Sequence, residues 1–206
     1  MTDKIDFKKT LDSYQAKRGE FRILDVPPTS YLMIDGHGDP NTSPEFAAAI
    51  ASLYPIAYKI KFASKKELGR DFVVMPLEGL WWSSTPANFT SARDKSTWDW
   101  TLMIMQPEWV TSEMVEAARA AAASKDAAPG IHDVRFETLD EGRCVQTLHV
   151  GSFDDEAETL EKLHDRVIPE NGLTMTGKHH EIYFSDFRSV APEKLRTILR
   201  QPVAPA

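Results

Sequence analysis

The chain holds a single cysteine, Cys144, and no apolar run long enough to cross a bilayer. One thiol excludes a disulfide framework and a cysteine-based metal site, and Cys144, in the strand-like "RCVQTLHV", reads as a small buried hydrophobe. Lacking such a run, and opening without a cationic-then-apolar leader, the sequence is expected to act in the cytoplasm with no membrane partner. Positive charge is scarce as well: 24 Lys and Arg face 31 Asp and Glu, a net charge of −7. The cations are scattered, whereas nucleic-acid binding draws on clustered Lys and Arg, so no nucleic-acid partner is expected. No Ser-His-Asp or Cys-His pattern stands out. "DGHGD" holds two glycines near a helix start but lacks the spacing of a phosphate loop, and reads as a turn.

What is present is one domain's worth of chain that repeats itself. At 206 residues it suits a single core, or two half-sized units, over residues 1–206. "FRILDVPPTSYLMIDGHGDP" reads as strand, Pro-Pro turn, strand. In the helix that follows, Ser43 suits the cap, Pro44 the first helical position, and Phe46, Ile50 and Leu53 one apolar face, with Pro55 as a point of kinking. Strands around "DFVVMPLEGLWWS" and "STWDWTLMIMQP" come next, then an Ala-rich helix opened by Thr111 and closed before Pro129 and Gly130. Beyond it the order restarts: strands "IHDVRFETL" and "RCVQTLHVG", helix "DDEAETLEKLHDRVI", and a strand around "KHHEIYFSD". "YLMIDGHGDP" matches "CVQTLHVGSF", with Gly38 on Gly151 and Glu45 on Glu158 at one offset. The expectation is an α+β fold of duplicated strand-helix-strand-strand modules, at about 21–105 and 131–186. A helical connection spans about 110–130 and a C-terminal helix about 191–200. Such modules pair about a pseudo-twofold axis, and the groove between them is a natural ligand site.

Alternation places Trp98, Trp100, Leu102 and Ile104 on one face of "STWDWTLMIMQ" and Met103 and Met105 on the other. Both faces are apolar. With Trp81, Trp82 and Trp109, the aromatic content exceeds what a small core needs for filling. The tryptophans are either core and rim residues or, as a group, the walls of a pocket for a flat ligand. The same alternation puts Ile182 and Phe184 on the helix side of the late strand, and His179, Glu181, Tyr183 and Ser185 on the other. Glu181 and Tyr183 then lie roughly 7 Å apart along the strand. Glu181 faces either solvent, as an ordinary surface acid, or an aromatic groove, as a desolvated carboxylate able to hold a cation or take a proton. His179 and His180 point to opposite faces and cannot chelate one metal, so no metal site is expected. Asp154, Asp155 and Glu156 suit a helix start, with the groove as the alternative for Glu156. Gly79 marks a bulge candidate that leaves the facing of Glu78 open.

With "PLEGLWW", "WTLMIMQPEWVT", "LHVGSFDDE" and "HHEIYFSDFR" in view, the chain resembles the GyrI-like small-molecule-binding family, chiefly its stand-alone members. The resemblance implies two strand-helix-strand-strand modules around a central cleft. Related domains are effector-binding parts of multidrug-responsive regulators, where an acid in the cleft meets lipophilic cations, and Glu181 is similar to that acid by its place in the last strand. Too few residues precede the first strand for a helix-turn-helix. Phe153 stands where relatives often carry Tyr. Some stand-alone members are similar in hydrolysing cyclopropane-bearing DNA alkylators, a detoxification that confers drug resistance. On that reading Glu181 is a general base aided by Glu156, Tyr183 donates to the developing phenolate, and Trp81, Trp82, Trp100 and Trp109 stack on the polycycle. No cofactor is required. The alternative is a binding module that sequesters lipophilic aromatic or cationic molecules without turnover. A protein partner, as for a gyrase antagonist, has no identifiable motif.

Overall fold

A computed structural model describes residues 3–83, 94–123 and 127–206. Nine strands are present among them: β1 (Arg22–Val26), β2 (Thr29–His37), β3 (Glu78–Trp82), β4 (Asp99–Met105), β5 (Arg135–Leu139), β6 (Gly142–Val150), β7 (Leu173–Met175), β8 (His179–Tyr183) and β9 (Arg196–Pro205). They divide between two compact units. Helices and antiparallel strands together make the fold α+β.

The first unit comprises residues 1–10 and 29–139, with strand order β3-β4-β2-β5, every pair antiparallel. Its long helix, Pro44–Glu67, begins with Ser43 in an extended conformation and Pro44 in the first turn. Phe46, Ala49, Ile50, Leu53, Ile56, Ala57 and Ile60 recur at three- and four-residue spacing, and all are buried. Pro55 does not end this helix. Its ring sits at an exposed position, and burial of the apolar stripe on both sides outweighs the roughly 3 kcal/mol a proline costs inside a helix. The Ala-rich helix, Ser112–Ala122, starts as expected, Thr111 Oγ1 accepting from Met114 N at 3.4 Å.

The second unit comprises residues 11–28 and 140–206. Its strand order is β1-β6-β9-β8, with β7 on β9. Ser152 caps a short 3-10 turn, and the helix then runs Glu156–Glu161, widens into a π-helical stretch Lys162–Val167, and closes with Ile168–Glu170. Leu163 and Ile168 from this helix pack on Val145, Leu173, Leu199 and Val203.

Two sequence expectations are corrected. The C-terminal helix at about 191–200 is a 3-10 turn, Pro192–Lys194, followed by β9. β9 is flanked by β6 and β8, and its residues 197–203 are buried whichever face they occupy. A strand covered on both faces shows no two-residue period, which is why "APEKLRTILR" passes for a helix. The units also depart from the contiguous runs 21–105 and 131–186. β1 pairs with β6 and β5 pairs with β2, so the Pro-Pro turn between β1 and β2 closes no hairpin. Leu24 and Val26 of β1 pack instead against Cys144. Among the described residues no helix is long and apolar enough to cross a membrane.

Candidate functional site

The register of β8 on β9 decides which way Glu181 points. Glu181 pairs with Leu199 and Tyr183 with Thr197, while His180 pairs with Arg200 and Ile182 with Ile198. Directly paired residues share a face. Leu199 packs against Leu163 and Ile168 of the helix, so Glu181 and Tyr183 lie on the helix side of the sheet and Ile182 on the reverse. This inverts the expected facing while keeping the expected partnership. Apolar residues stand on both faces of the strand, so hydrophobicity alone cannot tell them apart; the register can.

On that face the Tyr183 hydroxyl donates to Glu181 Oε2 at 2.7 Å. His179 Nε2 lies 3.6 Å from Glu181 Oε1, an ion pair when that imidazole is protonated. Phe153, at the helix start, meets the Tyr183 ring edge-to-face at 5.8 Å and the Phe187 ring at 6.0 Å. His164, on the π-helical turn, meets His179 at 5.6 Å with the rings perpendicular. Burial, and then the neighbouring His179, push the His164 imidazole down to about 3, so it is neutral at any ordinary pH. The Glu181 side chain keeps 13% of its surface exposed. The result is a carboxylate held at one oxygen by a phenol, with aromatic rings around that phenol, and still partly exposed.

Glu156 lies in the first turn of the α-helical segment, 3% exposed. It is not a surface cap: Ser152 takes that role, accepting from Asp155 N at 3.3 Å. Glu78 is fully buried at the start of β3 in the first unit. The tryptophans all belong to the first unit and do not form one group. Trp81 stacks on Phe46 at 6.0 Å, and Phe46 meets Trp100 edge-to-face at 5.2 Å. Trp82, next to Trp81 on β3, points to the other face of the strand. Trp100 has no exposed surface: it fills the space above Gly36 and donates from Nε1 to the Gly38 carbonyl at 3.3 Å. The ring is thus taken up in core packing. Trp109 is set apart, against Phe7 and Phe72, with Nε1 donating to Ser64 Oγ at 2.9 Å.

The reverse face of the second unit's strands carries a network that the sequence reading missed. Glu141 accepts from Arg200 Nη1 at 2.7 Å and pairs with His180 Nδ1 at 2.9 Å, while Arg200 Nε donates to Gln146 Oε1 at 2.9 Å. Arg200 Nη2 donates to the Ser13 carbonyl, and Gln146 Nε2 to the Gln15 carbonyl. Burial alone would raise the Glu141 carboxyl, but the charge and hydrogen bonding of His180 and Arg200 outweigh it and hold the group at about 2. The signal was an arginine in the middle of an apolar run, which demands a buried acid. Among the described residues no group of three or more His, Cys, Asp or Glu side chains is placed to hold a metal ion.

Known proteins can now be set beside this geometry. A conserved protein of Listeria innocua is 42% identical, with a TM-score of 0.87 over 98% of this chain and 100% of its own. A protein described as a hydrolase from Listeria innocua is 40% identical, with a TM-score of 0.84 over the same shares. The C-terminal domain of EcmrR, 12% identical, has a TM-score of 0.55 over 91% of this chain and 98% of its own, a likeness of fold alone. No curated protein matches the chain. The family model of the GyrI-like small molecule binding domain matches residues 19–204. With nine-tenths of its length matched, and with full-length relatives at 40% and 42% identity, the chain belongs to the GyrI-like small-molecule-binding family.

Proposed function

We propose that the chain is a hydrolase that adds water to strained, electrophilic and lipophilic small molecules, of which cyclopropane-bearing DNA alkylators are the model substrates. The observation that carries this reading is the 2.7 Å bond from Tyr183 to Glu181, a partly exposed carboxylate with aromatic rings around its phenol partner. The relatives described as hydrolases, at 40% identity over nearly the whole chain, add to it. With Oε2 occupied by the phenol, Oε1 takes a proton from water. The water oxygen then bonds to the cyclopropane carbon, and the ring carbon–carbon bond breaks. Its electron pair moves into the conjugated ketone, which becomes a phenolate and is protonated by solvent. Ring strain and the aromatic product supply the driving force, leaving the protein to position the water and assist its deprotonation.

The test is mass spectrometry of a cyclopropanoid alkylator incubated with the protein. A water adduct formed at a protein-dependent rate is expected, and Glu181→Gln should slow it by about 10² or more with the fold intact. Tyr183→Phe should lower kcat by about tenfold with KM little changed, since it frees the carboxylate without removing it. Recovery of unchanged ligand bound to the protein would instead favour sequestration without turnover. Wild-type turnover by the Gln variant would remove Glu181 as the base and leave Glu156 and Glu78 as candidates.

A further inference from the structure

The long helix Pro44–Glu67 buries one apolar side and leaves a second one uncovered. Ala47, Ala51, Pro55, Tyr58 and Phe62 are all exposed, and they follow one another at spacings of four, four, three and four residues. That spacing holds them on one face, over a length of about 22 Å. Between Glu45 and Lys59 the helix carries no charged residue. Tyr58 keeps 47% of its surface and Phe62 60%, the highest exposure of any large apolar side chain among the described residues. The rings form an ordered row: Tyr54 stands 6.4 Å from Tyr58, and Tyr58 stands 6.4 Å from Phe62 with the planes 28° apart. A contiguous apolar stripe of this kind marks a surface that another surface covers.

The stripe has a direction. Its first half is small, Ala47 and Ala51, and its second half is large, Tyr58 and Phe62. Charge runs the same way, with exposed Glu45 ahead of the small half and exposed Lys59, Lys65 and Lys66 at the large end. Lys65 is held by Asp71 at 2.9 Å, so Lys59 and Lys66 are the cations that face outward. A helix that fits this one must be large where it is small and negative where it is positive. The same helix run in the opposite direction meets both conditions.

Laid antiparallel about a two-fold axis between residues 54 and 55, Ala47 faces the partner's Phe62, Ala51 faces the partner's Tyr58, and Tyr54 faces the partner's Pro55. In that register Glu45 comes within one helical turn of the partner's Lys66, on the same flank of the contact. A parallel pair would instead set ring on ring, alanine on alanine and lysine on lysine. We infer that the stripe is the interface of a two-fold symmetric homodimer in which helix Pro44–Glu67 packs antiparallel on its copy. A single helix pair buries less than the roughly 1,600 Å² of a standard interface, so the dimer is weak, with a Kd on the order of 10–100 µM.

The test is sedimentation equilibrium of the full chain from about 5 to about 500 µM. The weight-average mass is expected to rise from 23.2 kDa towards twice that value. Ala51→Glu and Tyr58→Glu alter exposed positions, and each should weaken association by about tenfold or more with the circular dichroism spectrum unchanged. Glu45→Lys and Lys66→Glu should each weaken it by about threefold at low salt, and the two together in one chain should restore it, because the ion pairs re-form with signs exchanged. The inference is overturned by a mass that stays at 23.2 kDa throughout, by association that survives Tyr58→Glu, or by a double charge exchange that restores nothing. A chain that stays monomeric yet sediments with vesicles of phosphatidylcholine and phosphatidylglycerol also overturns it, and gives the stripe to an anionic membrane surface instead. None of these outcomes depends on whether Glu181 turns over a substrate.

Discussion

Gly36 has no side chain because Trp100 occupies the place a Cβ would take: a methyl group there would lie 2.0 Å from the indole ring. The ring has no free surface into which to retreat. Gly36→Ala is therefore expected to destabilise the protein by about 1–3 kcal/mol through overpacking, measured as a lower midpoint in denaturant unfolding; an unchanged midpoint would show that Trp100 has room to move. At this scale the sequence was most informative about adjacency within a strand. Glu181 and Tyr183, two apart on an extended segment, had to share a face, and they hydrogen-bond there. Which face that was, and that Trp100 is core and Trp109 stands apart, depended on neighbours far away in the chain.

β9 is the element that the second unit is built around, and it carries a buried charge. Removing the negative partner by Glu141→Gln leaves Arg200 and His180 facing a neutral amide, a change expected to cost roughly 3–5 kcal/mol. The pH dependence follows from the same bond. In the folded protein the Glu141 carboxyl stands at about 2, below its ordinary value of 4.5. A depressed acid stabilises the fold above its unfolded pKa, and that stabilisation, roughly 3 kcal/mol, is lost as pH falls from about 4.5 towards 2. Denaturant unfolding should accordingly show a large gap between wild type and the Gln variant near pH 6 that narrows near about pH 3. A gap independent of pH would mean that Glu141 acts by shape rather than charge. None of this is visible if residues 191–200 are read as a helix, since Arg200 on a helix has a solvated face to occupy.

For the whole molecule, the order of strands along the chain is not their order within the units. The second unit draws β1 and the carbonyls of Ser13 and Gln15 from the start of the sequence, where they complete the edge of β6 and the coordination of Arg200 and Gln146. A fragment of residues 140–206 lacks all of these. It is expected to give an amide NMR spectrum with the narrow dispersion of an unfolded chain; a dispersed, native-like spectrum would show that the early strand is dispensable. The duplication was legible because a strand-helix-strand pattern survives loss of identity, but the assignment of β1 and β5 was not. Edge pairing is set by register and by which apolar face is left uncovered.

The sequence by itself determined the class of fold, the duplicated order of strands and helices, the pairing of Glu181 with Tyr183, and the family to which the chain belongs. Each of these rests on local periodicity or on motifs contiguous in the chain. Only the tertiary structure decided the face of β8 that carries the acid, the strand identity of residues 196–205, and the Glu141–Arg200–His180 network. Each of those brings together residues separated by tens of positions. A buried strand flanked on both sides carries no alternation to read, so its partners are known only once hydrogen-bonded register and burial have been settled together.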